Sequence, residues 1–372
     1  MCPSSQHIAF FLPSLRGGGA ERAMLDLATG FADQGYRVDL VLVNAEGPYL
    51  DLVPKNVSVV DLGVNRVLKS LPGLIRYLRQ RRPQALLSTP FHANLVALSA
   101  RKLSSIPFRL VIREATTMSQ SLSRHKGFKA WRGVQLVKLL YPSADKIVAV
   151  SRGVADDLQS FAKLPGQKIE VVYNPVVTSG LADQAQEPLD HPWFLPGEPP
   201  VVLAVGRLSR AKNFGMLIRA FSQPGFRQKA RLLILGEGEL RAELEKLVLE
   251  LKLQDSVLLP GFSKNPFSYM ARSALCVLSS IQEGFPNVLV QAMAVGTPVV
   301  ATDCRNGPAE ILENGRYGRL VPVNAVSEMA RAIEEELCQK RKDNVELRSL
   351  LMARAELFSQ AKSIRAYSKV LF

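Results

Sequence analysis

The chain has 372 residues, 47% hydrophobic and 22% charged, a globular composition long enough for two cores rather than one. No apolar run reaches the roughly 18 residues of a membrane-spanning helix, and Cys2, Cys276, Cys304 and Cys338 are too scattered for a disulfide framework or a zinc site, so reduced thiols are expected. The net charge of +14 is uneven: residues 1–177 hold 23 Lys+Arg against 12 Asp+Glu, a net +11, and the remainder 24 against 21, a net +3.

From the N-terminus, MCPSSQHIAFFLPSLRGG lacks a basic leader region and its short apolar run predicts a first strand, not a signal peptide. A glycine loop and a helix, AERAMLDLATGFADQG, follow. RVDLVLV, NVSVVDL, ALLST, FRLVI and KIVAV read as further strands. LKSLPGLIRYLRQRR, HANLVALSARKL and Ser123 to Tyr141 read as the helices between them. Strands alternating with helices predict right-handed crossovers and a parallel sheet. From Thr178 to Pro200 the chain turns rich in Pro, Asp, Glu and Gln, which predicts a linker over 178–199. A second alternating set then runs through VVLAVG, NFGMLIRAFSQ, RLLILG, ELRAELEKLVLELKL, SVLLPG, ALCVLSS, PNVLVQAMAVG and PVVAT. The end, from Val326 to Phe372, reads as helical. The expected domains are 1–177 and 200–350, with a C-terminal helix over 351–372. The fold class is α/β, two doubly wound sheets with ligands at the carboxyl ends of the strands.

Three stretches offer chemistry. Arg16 to Arg22, RGGGAER, joins a strand to a helix. Its glycines admit a ligand to the backbone, and a helix N-terminus attracts phosphate. The spacing is not GxGxxG and no acid ends the second strand, which argues against a nicotinamide enzyme. In VGRLSRAKN, Arg207 and Lys212 follow the first strand of the second domain, where two fixed cations neutralise a leaving diphosphate. In SSIQEGFPNVLVQAM, Glu283 precedes a helix that Pro286 suits and that carries Gln291. Its carboxylate is placed to accept from sugar hydroxyls, and Gly284 lets main-chain N–H groups approach. The bland alternatives are a tight turn, a solvated basic loop and a helix-start carboxylate.

At these residues the chain resembles family 4 of the retaining glycosyltransferases, which has the GT-B fold. The similarity runs through GGGAER, VSRGVADDL, VYNPV, VGRLSRAKN, LILGEGELRAELE, LPGFSKNP, EGFPNVLVQAMAVGTPVVATDCRNGPAEIL and YGRLVPV. It implies two Rossmann-like domains across a cleft, an acceptor-binding first domain, a nucleotide-sugar-binding second domain, and C-terminal helices packing back on the first. By the resemblance, Arg207 and Lys212 hold the donor diphosphate, with Asn213 beside them. Glu283 is the first carboxylate of an E-x7-E motif and contacts the donor sugar. Gly284, Phe285, Pro286 and Asn287 form the loop around sugar and phosphate. Gly18 and Gly19 close on the diphosphate. The second motif position is Gln291, where the family has a ribose-binding Glu, so one charge-assisted bond is lost, roughly 1–2 kcal/mol. His92 corresponds to an acceptor-side His, and Asn94, Arg113 and Glu114 resemble positions lining the same cleft.

The resemblance implies a hexose or N-acetylhexosamine moved with retention, by stabilisation of the departing diphosphate, with no metal and no cofactor besides the nucleotide sugar. A UDP-sugar is expected and GDP-mannose is the alternative. Between Arg66 and Lys138 stand 15 basic residues and one acid, Glu114. HKGFKAWRGVQLVKLLY sets Phe128 and Trp131 among Lys129, Arg132 and Lys138. Both features predict a surface lying on anionic lipid, hence a cytoplasmic enzyme peripheral on the inner face of the membrane, with a lipid-linked or polysaccharide-precursor acceptor. The rival readings are an epimerase, which needs no acceptor, an inactive scaffold, and a basic polyanion-binding protein. A nucleic-acid partner is not expected, because no aromatic-basic reader motif appears.

Overall fold

The computed structural model describes residues 6–119, 128–223, 229–339 and 344–372, and for 128–132 the backbone alone. The chain forms two units, Met1–Pro175 with Ser359–Phe372, and Val176–Phe358.

The first unit is built on β1 (His7–Leu12), β2 (Arg37–Leu42), β3 (Val57–Asp61), β4 (Ala85–Ser88), β5 (Arg109–Glu114), β6 (Lys146–Ala149) and β7 (Ile169–Val171). They form one parallel sheet in the order β3-β2-β1-β4-β5-β6-β7. The inner strands are buried on both faces, which is why they read as unbroken apolar runs. The strand order reverses between β1 and β4. The glycine loop leaves β1 and the Phe91–Ser104 helix follows β4, so both lie at this switch point.

The second unit carries β8 (Val201–Val205), β9 (Arg231–Leu235), β10 (Val257–Gly261), β11 (Leu275–Leu278), β12 (Val299–Thr302) and β13 (Arg319–Val321). The order is β10-β9-β8-β11-β12-β13, again parallel, reversing between β8 and β11. The loop after β8 holds Arg207 and Lys212, and the loop after β11 holds Glu283.

Two boundaries differ from the sequence expectation. Residues 178–199, expected as a linker, belong to the second unit. Leu181 and Ala185, an i,i+4 pair hidden in polar sequence, bury one face of the Leu181–Gln186 helix, which packs on the Pro266–Arg272 helix. Asn265 Nδ2 fastens it, donating to Gln184 O at 2.8 Å and Glu187 Oε2 at 2.7 Å. Residues 351–372 are not one helix. The Val345–Ala355 helix stays in the second unit, while the Gln360–Leu371 helix joins the core of the first through Ile364, Tyr367, Val370 and Leu371. Gly30 permits this approach: a Cβ there would stand 2.1 Å from Ile364 Cδ1.

Candidate active site

At the β8/β11 switch point, backbone hydrogen bonds fix the first loop. Gly206 N–H donates to Leu235 O at 2.9 Å, Leu208 N–H to Glu237 O at 2.8 Å, and Leu240 N–H to Leu208 O at 3.0 Å. A 3-10 turn, Arg210–Lys212, and a left-handed Asn213 (φ 53°) lead into the Phe214–Phe221 helix. Asn213 Nδ2 donates to Asn324 Oδ1 at 2.9 Å. Gly206 leaves room for Lys212 to lie back across the strand end, its Cε 3.2 Å from where a Cβ would stand.

The two motif loops are joined. Ser279 Oγ donates to Lys212 O at 2.7 Å, and Ile281 N–H donates to Ala211 O at 2.9 Å. Lys212 Nζ lies 2.6 Å from Glu283 Oε1, which also accepts from Ser280 Oγ at 2.7 Å. Their side chains are 23% and 12% exposed, so the pair is shielded yet open to a ligand. Glu283 Oε2 accepts no hydrogen bond among the described residues. Arg207, two residues past β8, is exposed and makes no hydrogen bond or ion pair through its side chain among the described residues. The site thus offers one cation pre-paired with a carboxylate and a second with no partner among the described residues, at the end of the sheet where ligands bind.

Gly284, Phe285 and Pro286 are buried beside them. Phe285 packs edge-on against Phe358 at 5.3 Å. Gly307 (φ +96°) lets another loop close on Pro286, since a Cβ there would meet Pro286 Cδ at 2.4 Å. Asn287 opens the Asn287–Ala294 helix, and Gln291, half-buried on it, makes no side-chain hydrogen bond among the described residues. Cys304 lies within electrostatic reach of Glu283 and Lys212. Burial, with Glu283 adding to it, pushes its thiol up to about 12, so it stays a neutral filler.

In the first unit, Gly17 and Gly18 N–H both donate to Glu21 Oε2, at 2.8 and 3.0 Å. The loop expected to meet a diphosphate is therefore closed by its own carboxylate. Gly19 is exposed at the helix start. His92, the second residue of the Phe91–Ser104 helix, is exposed beside the Phe91 ring at 5.1 Å.

Asn94, Arg113 and Glu114 do not line an open surface; all are buried. Asn94 Nδ2 donates to Glu114 Oε1 at 2.8 Å and to Arg113 O at 3.2 Å, and Tyr141 donates to the same Glu114 oxygen. Arg113 Nη2 donates to Asn174 Oδ1 at 2.6 Å, and Thr89 Oγ1 donates to Arg113 O at 3.0 Å. Thr89 after β4, the Phe91–Ser104 helix, Tyr141 and the segment after β7 bond most of these groups inside the core, leaving Asn94 Oδ1 and Arg113 Nε without a hydrogen bond among the described residues, so in this conformation none meets an acceptor.

Burial raises the Glu114 carboxyl from 4.5 to about 7, against the opposing pull of Tyr141, Asn94 and Arg113. The folded state then holds a proton that the unfolded chain releases, so this group's contribution is present below pH 4.5 and lost as pH rises to about 7. Asp26, raised to about 6 by burial, acts with the same sign. Glu114→Gln is expected to flatten the fall in stability between pH 5 and 7 by on the order of 2–3 kcal/mol. Urea unfolding across that range measures it, and an unchanged slope would refute the assignment.

The chain is similar to known proteins along most of its length. Residues 17–179 match the family model Glycosyltransferase Family 4, and residues 186–349 match Glycosyl transferases group 1. An N-acetylgalactosamine-N,N'-diacetylbacillosaminyl-diphospho-undecaprenol 4-alpha-N-acetylgalactosaminyltransferase of Campylobacter jejuni is 31% identical, over 98% of this chain and 99% of its own. The chain belongs to glycosyltransferase family 4. A second relative of this glycosyltransferase, the amylovoran biosynthesis protein AmsD of Erwinia amylovora, is 27% identical over 81% of each chain. Its fold is that of solved GT-B enzymes. The Anabaena protein HepE in complex with UDP-glucose superposes with a TM-score of 0.79 at 21% identity, covering 98% of this chain and 99% of that one. The lipopolysaccharide outer core galactosyltransferase WaaB gives 0.71 at 20% identity, covering 99% of both.

Proposed function

We propose that this glycosyltransferase moves a hexose or N-acetylhexosamine from a UDP-sugar, with retention of configuration, to a lipid-linked or polysaccharide-precursor acceptor. The observation that carries the reading is Lys212 against Glu283 at 2.6 Å, with Arg207 on the same loop, at the switch point of the second unit. A donor diphosphate competes with Glu283 for the Lys212 ammonium, and the released carboxylate turns to the sugar hydroxyls. Arg207 and Lys212 then stabilise the charge that develops as the C1–O bond to the diphosphate breaks. The acceptor hydroxyl forms its bond to C1 on the face the diphosphate leaves, and its proton passes to the departing phosphate. The two cations supply the compensating charge, and the reading assigns no metal. The Campylobacter relative's name, with its diphospho-undecaprenol acceptor, and the UDP-glucose in HepE favour the donor and acceptor classes.

The acceptor reading implies an enzyme working on the cytoplasmic face of a membrane. No helix of the described residues is long and apolar enough to cross one. Of the basic stretch, Phe128, Lys129, Trp131 and Arg132 lie outside the residues whose side chains are described. On the Phe128–Leu140 helix, Leu136 and Leu139 are 39% and 70% exposed, flanking Lys138, a combination suited to an anionic lipid surface.

Incubating the enzyme with single nucleotide sugars and a bacterial lipid extract tests the proposal. A product formed only with a UDP-sugar supports it. Transfer from GDP-mannose alone replaces the donor, and turnover of the donor without acceptor to an isomeric sugar nucleotide replaces the reaction. Gln291→Glu is expected to lower KM for the donor about five-fold, the margin between a neutral and a charge-assisted hydrogen bond to ribose. An unchanged KM would remove Gln291 from the donor site.

A further inference from the structure

We infer that a groove on the flank of the first unit, between the Gln360–Leu371 helix and the edge strand β7, binds the phosphate-bearing headgroup of an anionic phospholipid. This rests on the membrane part of the proposed function and adds a place for it. The groove encloses about 440 Å³. Lys362, Arg365 and Lys369, spaced i, i+3 and i+7 on one helix face, form one wall, and Lys146 and Glu170 stand on the other. Lys146 Nζ meets Glu170 Oε1 at 2.7 Å, so that pair is neutral. The three helix cations are exposed and make no hydrogen bond or ion pair among the described residues.

In the second unit an exposed helix pairs its cations along its own length. Arg241 bridges Glu237 and Glu245, and Lys246 pairs with Glu250, all at i,i+4 on or beside one exposed helix. The Gln360–Leu371 helix has no acidic residue at all. Its cations are held in place from behind. Ile364, Tyr367 and Leu371 are buried, Ser363 Oγ donates to Tyr173 O at 2.9 Å, and Arg109 Nε donates to Val370 O at 2.7 Å. Between the walls lie Val172 and Val370, and Val171, 38% exposed, gives an apolar floor for the carbon skeleton beside a phosphate.

Hydrogen bonds tie the Lys146 wall to the chain just after the helix that carries the exposed leucines, which favours a bilayer over a soluble acidic chain. Lys146 Nζ bonds Gln167 O, and the neighbouring Lys168 Nζ bonds Pro142 O and Ala144 O, just past the foot of the helix that carries Leu139. The Lys146 wall of the groove and the end of the leucine-bearing helix are thus neighbours on the first unit.

Flotation of the full chain with phosphatidylcholine vesicles, with and without phosphatidylglycerol, tests this. A basic residue near an anionic surface contributes about five-fold in partitioning, roughly 1 kcal/mol. Lys362→Gln/Arg365→Gln/Lys369→Gln is therefore expected to weaken binding to the anionic vesicles on the order of 100-fold. Melting temperature and transfer to a soluble acceptor stay unchanged. The single variant Arg365→Gln, about five-fold weaker, serves if the triple variant misfolds. Wild-type binding that the triple variant retains overturns the groove and leaves the membrane reading standing. Wild-type protein that ignores anionic vesicles overturns both. Loss of polyglutamate or inorganic phosphate binding in the triple variant, with vesicle binding intact, overturns the lipid as ligand.

Discussion

The double variant Arg207→Ala/Lys212→Ala is expected to lose at least about 1,000-fold in transfer while remaining folded. Removing one donor aimed at a developing oxyanion costs roughly 100- to 1,000-fold in well-studied sites, and two cations acting on one leaving group give less than the product of their single effects. Lys212 carries more of the loss than Arg207, because it sits on the loop fixed by Ser279 and Ile281 whereas Arg207 is exposed. Stability is spared. The Lys212–Glu283 pair is partly exposed, so its direct worth is within about 1 kcal/mol, and the freed Glu283 still accepts from Ser280. Lys212→Arg is not expected to rescue, since a planar fork does not fit where a compact ammonium reaches one carboxylate oxygen over Gly206. Initial rates with saturating donor, beside a thermal melt, make the measurement. A double variant within ten-fold of the wild-type rate would refute the roles given to both cations.

The contact on which this rests, between residues 71 apart, was not legible as a contact from spacing. The alternation of apolar runs and helices gave two parallel sheets, and a parallel sheet brings every strand-to-helix loop to one edge. Which loops become neighbours depends on strand order, which the family resemblance supplied by marking Arg207, Lys212 and Glu283 together. A local pattern misleads where it has two physical outcomes. Arg113 and Glu114 end a strand, as ligand-binding residues do, but Asn94, Tyr141 and Asn174 close over them. The three-residue strands β7 and β13 are too short for a period to show. The last helix packs closely over Gly30, whose lack of a side chain leaves no signal in a hydrophobic pattern. The role of Glu21 is not legible in the sequence because its partners are main-chain N–H groups, which no residue type announces.

Gly236→Ala is expected to disable the same site from a strand that carries none of its charged residues. Gly236 follows β9 with φ +146°, and a Cβ there would stand 1.9 Å from Gly206 O and 2.8 Å from Gly206 C. The obstruction is backbone, so no side-chain rotation relieves it. Gly238 is pressed in the same way, 2.4 Å from Leu208 O, so the two strand ends cannot separate at one point without moving the whole Gly206–Leu208 segment. Strained dihedrals and overpacking of this kind cost roughly 1–3 kcal/mol each, and about 2–5 kcal/mol is expected in unfolding. The displaced segment is the one that carries Arg207 and supports Lys212, and a misplacement of about 1 Å in a positioning group lowers rates about 100-fold. Activity should therefore fall further than the folded fraction at 25 °C accounts for. Gly180→Ala is the matched control: nothing lies within 4 Å of its Cβ position and its φ is −84°, so stability and transfer are expected to be retained. Gly236→Ala that melts and turns over like Gly180→Ala would mean that the β8 loop does not hold the charged pair in place.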